Sequence, residues 1–200
     1  MPFSYILVLI LLITVAILVI YYLWKTAQFR KQTYGKQTVG NILRGFARPR
    51  KYQVFSDVVL SSGNNSAGVD HILVGDFGVL FTSSIQGNGS FYGDYEEERW
   101  SFDDGKQKIY FKNPVDELNR KIELFRTILA QNKIYRVPVM AAVVIVGFSQ
   151  ETKLYITNAD KETPVITSQA LSAYLRSARF ETESSMDQEA VKNLLSQMSK

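Results

Sequence analysis

The sequence predicts a mixed α/β domain carried behind a single N-terminal transmembrane helix. Three observations point there. Residues Tyr5–Trp24 form 20 consecutive uncharged positions. Between Tyr52 and Phe111, short strand-like runs alternate with turn-forming clusters. A capped amphipathic helix then starts at Asn113, followed by the nearly continuous apolar run Val137–Phe148. Helix, antiparallel strands, helix and buried strand make an α/β sandwich.

At about 1.5 Å rise per residue, Tyr5–Trp24 spans about 30 Å, the hydrocarbon thickness of a bilayer. A cleaved signal peptide would begin with basic residues and end in small ones. Here no charge precedes the run, and it closes on Tyr21, Tyr22, Leu23 and Trp24, an aromatic boundary suited to a membrane interface. Eight basic residues follow with no acidic one: Lys25, Arg30, Lys31, Lys36, Arg44, Arg48, Arg50 and Lys51. The positive-inside rule places the chain after Trp24 in the cytoplasm and the short N-terminus outside. The expected organisation is an anchor over 1–24, a basic juxtamembrane segment over 25–34, a folded domain over 35–180 and a tail helix over 181–200.

Composition removes several chemistries. There is no cysteine, so disulfides, thiolate metal sites and thiol nucleophiles are excluded, in keeping with a reducing compartment. The single histidine, His71, excludes a two-histidine metal site. No Walker loop, dinucleotide-binding glycine motif or nucleophile elbow is present. Taking the eight juxtamembrane positives from the 23 basic residues leaves 15 against 19 acidic ones for 52–200, a mildly acidic folded part. The basic stretch (Lys25, Arg30, Lys31, Arg44, Arg48, Arg50, Lys51) is read first as a contact with anionic lipid. A nucleic-acid-binding arm is the alternative.

The elements follow in order. Val39, Ile42, Leu43 and Phe46 recur at helical spacing within 36–47. Tyr52–Leu60 reads as a strand before a Ser-Ser-Gly-Asn-Asn-Ser turn cluster. Val69–Val74 and Val79–Thr82 are strands turning at Gly75-Asp76-Phe77-Gly78. Arg99–Phe102 and Gln107–Phe111 form a hairpin around Asp103-Asp104-Gly105. Asn113 is the N-cap and Pro114 the first residue of a helix, with Asp116 and Glu117 in its first turn. Val115, Leu118, Ile122, Phe125 and Leu129 make its apolar stripe. Val137–Phe148 reads as a central strand covered on both faces. A strand at Leu154–Ile156, a helix from Ser168 to Arg176 and a helix from Asp187 to Gln197 complete the chain.

These residues resemble the nuclease-related domain family, a branch of the PD-(D/E)xK restriction-endonuclease-like superfamily. The resemblance covers roughly 35–148. It rests on Gly35, Val39 and Leu43 in the first helix, Val69-Asp70-His71-Ile72-Leu73-Val74, Gly78-Val79-Leu80-Phe81, Gly89, Trp100 and Asn113-Pro114. It implies a restriction-endonuclease-like mixed sheet and a bacterial source. It also implies a site in which a helix glutamate, a strand aspartate and a Glu-x-Lys hold magnesium around a scissile phosphate. Carboxylates at adjacent strand ends suit magnesium, which generates hydroxide while the lysine positions the water.

Most of that site is missing. Lys36 stands where the helix glutamate belongs, and Asp70 is retained. Counted without a gap from Gly78, the Glu-x-Lys positions fall on Ser83, Ser84 and Ile85. Glu117 is the most plausible relocated acid, although a first-turn glutamate also serves the helix dipole. Glu96–Glu98 and Asp103-Asp104 read as solvated loop and turn, Trp100 as a packing aromatic, and His71 as structural. The expectation is therefore a membrane-anchored pseudo-nuclease with no cofactor and no metal ligand beyond Asp70, acting through a protein partner at the bilayer. A magnesium-dependent nuclease with a rearranged site is the first alternative, and a non-catalytic nucleic-acid-binding module the second.

Overall fold

The structure, a computed structural model, describes residues 2–147, 152–159 and 162–199, and within the first helix it describes side chains at 11–21 and from 34 onward. Two compact units are present, Met1–Tyr34 and Gly35–Lys200. Helix α1 runs from Pro2 to Ala47. In the first unit its described apolar side chains find little cover, with Leu11, Leu18 and Ile20 exposed by 63%, 65% and 66%. Among the described residues no helix is long and apolar enough to cross a membrane. The expected span Tyr5–Trp24 lies partly outside them, because the side chains of 5–10 and 22–24 are not described.

The second unit is built on two sheets. Strands β1 (Gln53–Ser62), β2 (Asn65–Gly75) and β3 (Gly78–Gln86) are followed by β4 (Ser90–Asp94), β5 (Arg99–Asp103) and β6 (Lys108–Lys112). After helix α2 (Pro114–Gln131) come β7 (Val139–Val146), β8 (Lys153–Thr157) and β9 (Val165–Thr167), then α3 (Ser168–Leu175) and α4 (Gln188–Met198). The larger sheet has the order β1-β2-β3-β7-β9 and the smaller β6-β5-β4-β8. In the larger sheet β1, β2 and β3 are antiparallel, while β7 and β9 add in parallel. This is the mixed architecture expected of a restriction-endonuclease-like core.

Alternation along the central strands explains the layers. On β7, Ala141, Val143 and Ile145 join one core cluster, and Ala142, Val144 and Val146 join the other. The first face carries α2 and α4 through Phe125, Ile122, Val191 and Leu195, with Phe91 and Trp100 of the smaller sheet in the same cluster. The opposite face carries residues 35–47 of α1 and α3 through Val39, Leu43, Leu171 and Leu175. Helix α4, read from the sequence as a tail, thus contributes Val191, Leu194 and Leu195 to the main core.

The structure differs from the sequence reading at short or glycine-containing elements. The first hairpin extends to Ser62↔Asn65, because Gly63 (φ 57°) supplies the left-handed position of a two-residue turn. Strand β4 was not expected; Gly93 within it leaves the space that the Trp100 ring fills. Strand β9 has three residues and runs straight into α3, whose N-cap is Thr167. The central strand begins after Pro138, whose carbonyl accepts from Val79 N–H at 2.9 Å, and Phe148 lies outside the described residues.

Asn113 ties the two layers together. Its Oδ1 accepts from Val115 N–H at 3.0 Å, capping α2, and its Nδ2 donates to the carbonyls of Tyr95 (3.1 Å) and Glu97 (2.9 Å). The side chain is buried, so no water replaces these bonds. Replacing Asn113→Ala removes a cap worth about 1 kcal/mol and strands two carbonyls at roughly 1–3 kcal/mol more. Urea unfolding of the purified chain, followed by Trp fluorescence, should show a loss of about 2–4 kcal/mol. Asn113→Asp should recover little of it, because its carboxylate faces those carbonyls.

Candidate functional site

The retained aspartate lies where the strand alternation slips. Core residues on β1 run Phe55, Val58, Leu60, and on β2 Val69, Ile72, Val74, so each strand carries a three-residue gap in a two-residue repeat. The gaps lie opposite each other, bounded by Phe55↔Ile72 and Val58↔Val69. Inside the gap Asp57 takes a left-handed backbone (φ 54°), which aspartate tolerates better than most residues. The slip brings two consecutive polar residues, Asp70 and His71, toward α1.

Each is met by Lys36. Its ammonium lies 2.9 Å from Asp70 Oδ1 and 3.4 Å from Asp57 Oδ1. The other oxygen of Asp70 accepts from Ser84 N–H at 2.8 Å and Ser84 Oγ–H at 2.7 Å. His71 sits between Ser56 Oγ (2.9 Å to Nδ1) and the Lys36 carbonyl (2.8 Å to Nε2). A carbonyl only accepts, so Nε2 carries the proton and Ser56 donates to Nδ1. Gly40 permits this approach, since a Cβ there would stand 2.9 Å from His71 Cε1.

The electrostatics follow from the contacts. Burial raises the Asp70 carboxyl, but the Ser84 N–H, Lys36 and the Ser84 hydroxyl together hold it below its ordinary value. Burial works against the Lys36 ammonium, yet Asp70 and Asp57 raise it above the usual lysine range. His71 is lowered, with burial outweighing its bond to the Lys36 carbonyl, so it is neutral at pH 7.

The structure brings together Lys36 and Asp70 but not the other positions read from the sequence. Ile85 packs against the main core, and the β3 side chains that meet α1 and Asp70 are Ser84 and Gln86. Gln86 Oε1 accepts from Gly35 N–H at 3.1 Å. The ungapped count marks Ser83 and Ile85, and the slip beside Asp70 moves the partner to Ser84. That shift is invisible to counting, because alternation alone assigns Ser83 to the register of Asp70. Glu117 is exposed on α2, which covers the opposite face of the sheet from α1.

Asp103 and Asp104 are turn residues. Asp103 Oδ1 accepts from Gly105 N–H and Asp104 Oδ1 from the amides of Lys106 and Gln107. Trp100 is buried, its Nε1–H donating to the Asp94 carbonyl at 2.8 Å. Of the basic stretch, Arg44 bonds Asn41, Arg50 stacks on Phe46 at 4.1 Å, and Arg48 and Lys51 are exposed where α1 ends. The side chains of Lys25, Arg30 and Lys31 lie outside those described.

A magnesium ion does not fit this arrangement. Both oxygens of Asp70 are engaged, one by an ammonium, and among the described residues no three His, Asp or Glu side chains converge to hold a metal. Magnesium requires several oxygen ligands near octahedral geometry.

A five-stranded mixed sheet with α1 docked beside a strand aspartate defines a restriction-endonuclease-like core. The nuclease-related domain family matches residues 31–146, more than half of the chain, and the chain belongs to that family. No curated protein and no solved structure matches it.

The site also sets a pH dependence. His71 is lowered in the folded state, so its contribution is complete above about pH 6.5 and is lost as pH falls through that value toward its folded pKa. Asp70 is also lowered, so its contribution is held above about pH 4 and lost only on further acidification. Thermal unfolding of the purified chain should lose stability between pH 7.5 and 5 (about one histidine's span). His71→Gln should flatten that decline while leaving the step below about pH 4.

Proposed function

We propose that this chain is a membrane-anchored, cytoplasmic nuclease-related module that binds rather than cuts. The Lys36–Asp70 contact carries the reading. A cation stands where the family's helix glutamate belongs, 2.9 Å from the one retained acid, and it supplies the positive charge that a metal would otherwise bring. Ser84 meets that acid from the neighbouring strand and Gln86 meets Gly35 of the helix, and neither provides a carboxylate or a cation. The partner is a protein held at the inner face of the bilayer, for which the module serves as scaffold or accessory subunit. The anchor is supported by the uncharged Tyr5–Trp24 run, its basic flank and the exposure of its described apolar side chains.

The solubilised chain should not degrade single- or double-stranded DNA or RNA with magnesium or manganese. Cleavage by wild type that disappears in Asp70→Ala overturns the reading, whereas cleavage unchanged by that substitution is contaminating nuclease. Pairing Lys36→Glu with Ser84→Glu should recreate an acidic cluster whose thermal stability rises with added magnesium. Wild type should show no such rise.

The anchor is tested separately. The chain should stay with membranes through high salt and carbonate and leave only with detergent, and a C-terminal reporter should be cytoplasmic. Release by salt alone would mark a peripheral attachment through the basic stretch.

A further inference from the structure

The outer face of the smaller sheet takes no part in the reading above. Alternation that sends Phe111, Trp100, Phe91 and Leu154 inward sends Tyr110, Ser101, Tyr92 and Tyr155 outward. The register aligns these four in one row, through Tyr110↔Ser101, Ser101↔Tyr92 and Tyr92↔Tyr155. The tyrosines are 61%, 40% and 49% exposed in the order Tyr110, Tyr92, Tyr155, while Ser101 forms a closed floor between two of them. Tyr92 and Tyr155 are stacked, their centroids 4.9 Å apart and their planes 8° from parallel. The row crosses three strand spacings, about 14 Å.

A second row lies two residues along the strands, about 7 Å away. It ends in lysine on both sides, Lys108↔Asp103 at one edge and Ser90↔Lys153 at the other. The Lys108 ammonium reaches back over the tyrosines, 5.6 Å from the centroids of both Tyr92 and Tyr110. Among the described residues neither lysine is in an ion pair. Asp103 turns its carboxylate to Gly105 N–H, and the acidic loop Glu96–Glu98 lies beyond the opposite end of the sheet.

We infer that this face binds single-stranded nucleic acid, its bases stacking on Tyr155, Tyr92 and Tyr110 and its phosphates following the Lys108–Lys153 row. Aromatic rings accept any base through its π-face, and a parallel tyrosine pair is a stack that an unpaired base prolongs. A duplex keeps its base faces inside and has no use for such rings. Charge complementarity is local: the folded part is acidic in sum, yet the row beside the tyrosines sets two lysines, one at each edge, against the single carboxylate of Asp103. The assignment concerns a different sheet from Asp70 and stands whether or not the anchor and the pseudo-nuclease reading hold.

The test uses the full chain in zwitterionic nanodiscs and fluorescein-labelled oligothymidylate, read by anisotropy. Wild type should bind in the micromolar range and prefer single strand to duplex. Tyr110→Ala and Tyr155→Ala should each weaken binding by about fivefold or more. Lys108→Ala and Lys153→Ala should each reduce the slope of log affinity against log salt by roughly 0.7. All four side chains are surface residues, so an unchanged thermal transition shows that the variants fold. The assignment is overturned by no binding at about 100 μM, by tyrosine variants that bind as wild type does, or by a preference for duplex. It is equally overturned if this face instead mediates self-association or captures a protein in the absence of oligonucleotide binding.

Discussion

Asp70 has 14% of its side chain exposed, and a carboxylate so placed must be met by donors or lose its charge. Everything near it answers that requirement. Ser84 supplies an N–H and a hydroxyl from the neighbouring strand, and Lys36 supplies an ammonium from the helix above. Because Lys36 also offers its backbone carbonyl to His71, one helical residue is held by two consecutive strand residues. That grip fixes how residues 35–47 of α1 lie on the sheet, and hence how Val39 and Leu43 fill the core cluster beneath. Gly35 and Gly40 complete it by removing the Cβ atoms that would hold the helix away from Gln86 and His71.

The legible part of this fold is the part written in periodicity and capping. Asn113-Pro114, Asp187 and the run after Pro138 each mark an element by local chemistry, and each stands within a residue or two of its expected place. What escaped was non-local. Strand β4 carries a glycine whose purpose is visible only once Trp100 lies over it, and β9 is too short to carry a pattern. The site was half legible: the Lys36 and Asp70 positions follow from the family pattern. The assignment of Ser84 in place of Ser83 depends on a slip in two paired strands, and no single strand's sequence announces it. The clue in retrospect is the spacing Phe55, Val58, Leu60 beside Val69, Ile72, Val74, which breaks alternation in both strands at once.

Charge illustrates the same limit. Summed over 52–200 the chain is acidic, which argues against a phosphate-tracking surface. The sum has no geometry. Hairpin connectivity places Lys108 on one edge of the smaller sheet, and a parallel pairing across a long crossover places Lys153 on the other. Both end up level with each other, while the acidic loop between β4 and β5 is carried to the far end. Surface electrostatics of a sheet is decided by register, and register between β4 and β8 joins residues some 60 positions apart in sequence.

The arrangement around Asp70 also has a physical logic. Carboxylates grouped to hold a metal repel one another when the metal is absent, so such a site is stabilised only when loaded. Lys36 beside Asp70 gives attraction instead of repulsion, and the acid is a stabilising contact at neutral pH. The contact needs no bound ion to be stabilising. On the neighbouring strand Ser84 needs only to donate to Asp70, which it does through its N–H and its hydroxyl. The retention of Asp70 itself is explained without catalysis. Its carboxylate accepts from the Ser84 N–H at the point where the β2–β3 pairing ends, and without it that amide would lack its partner.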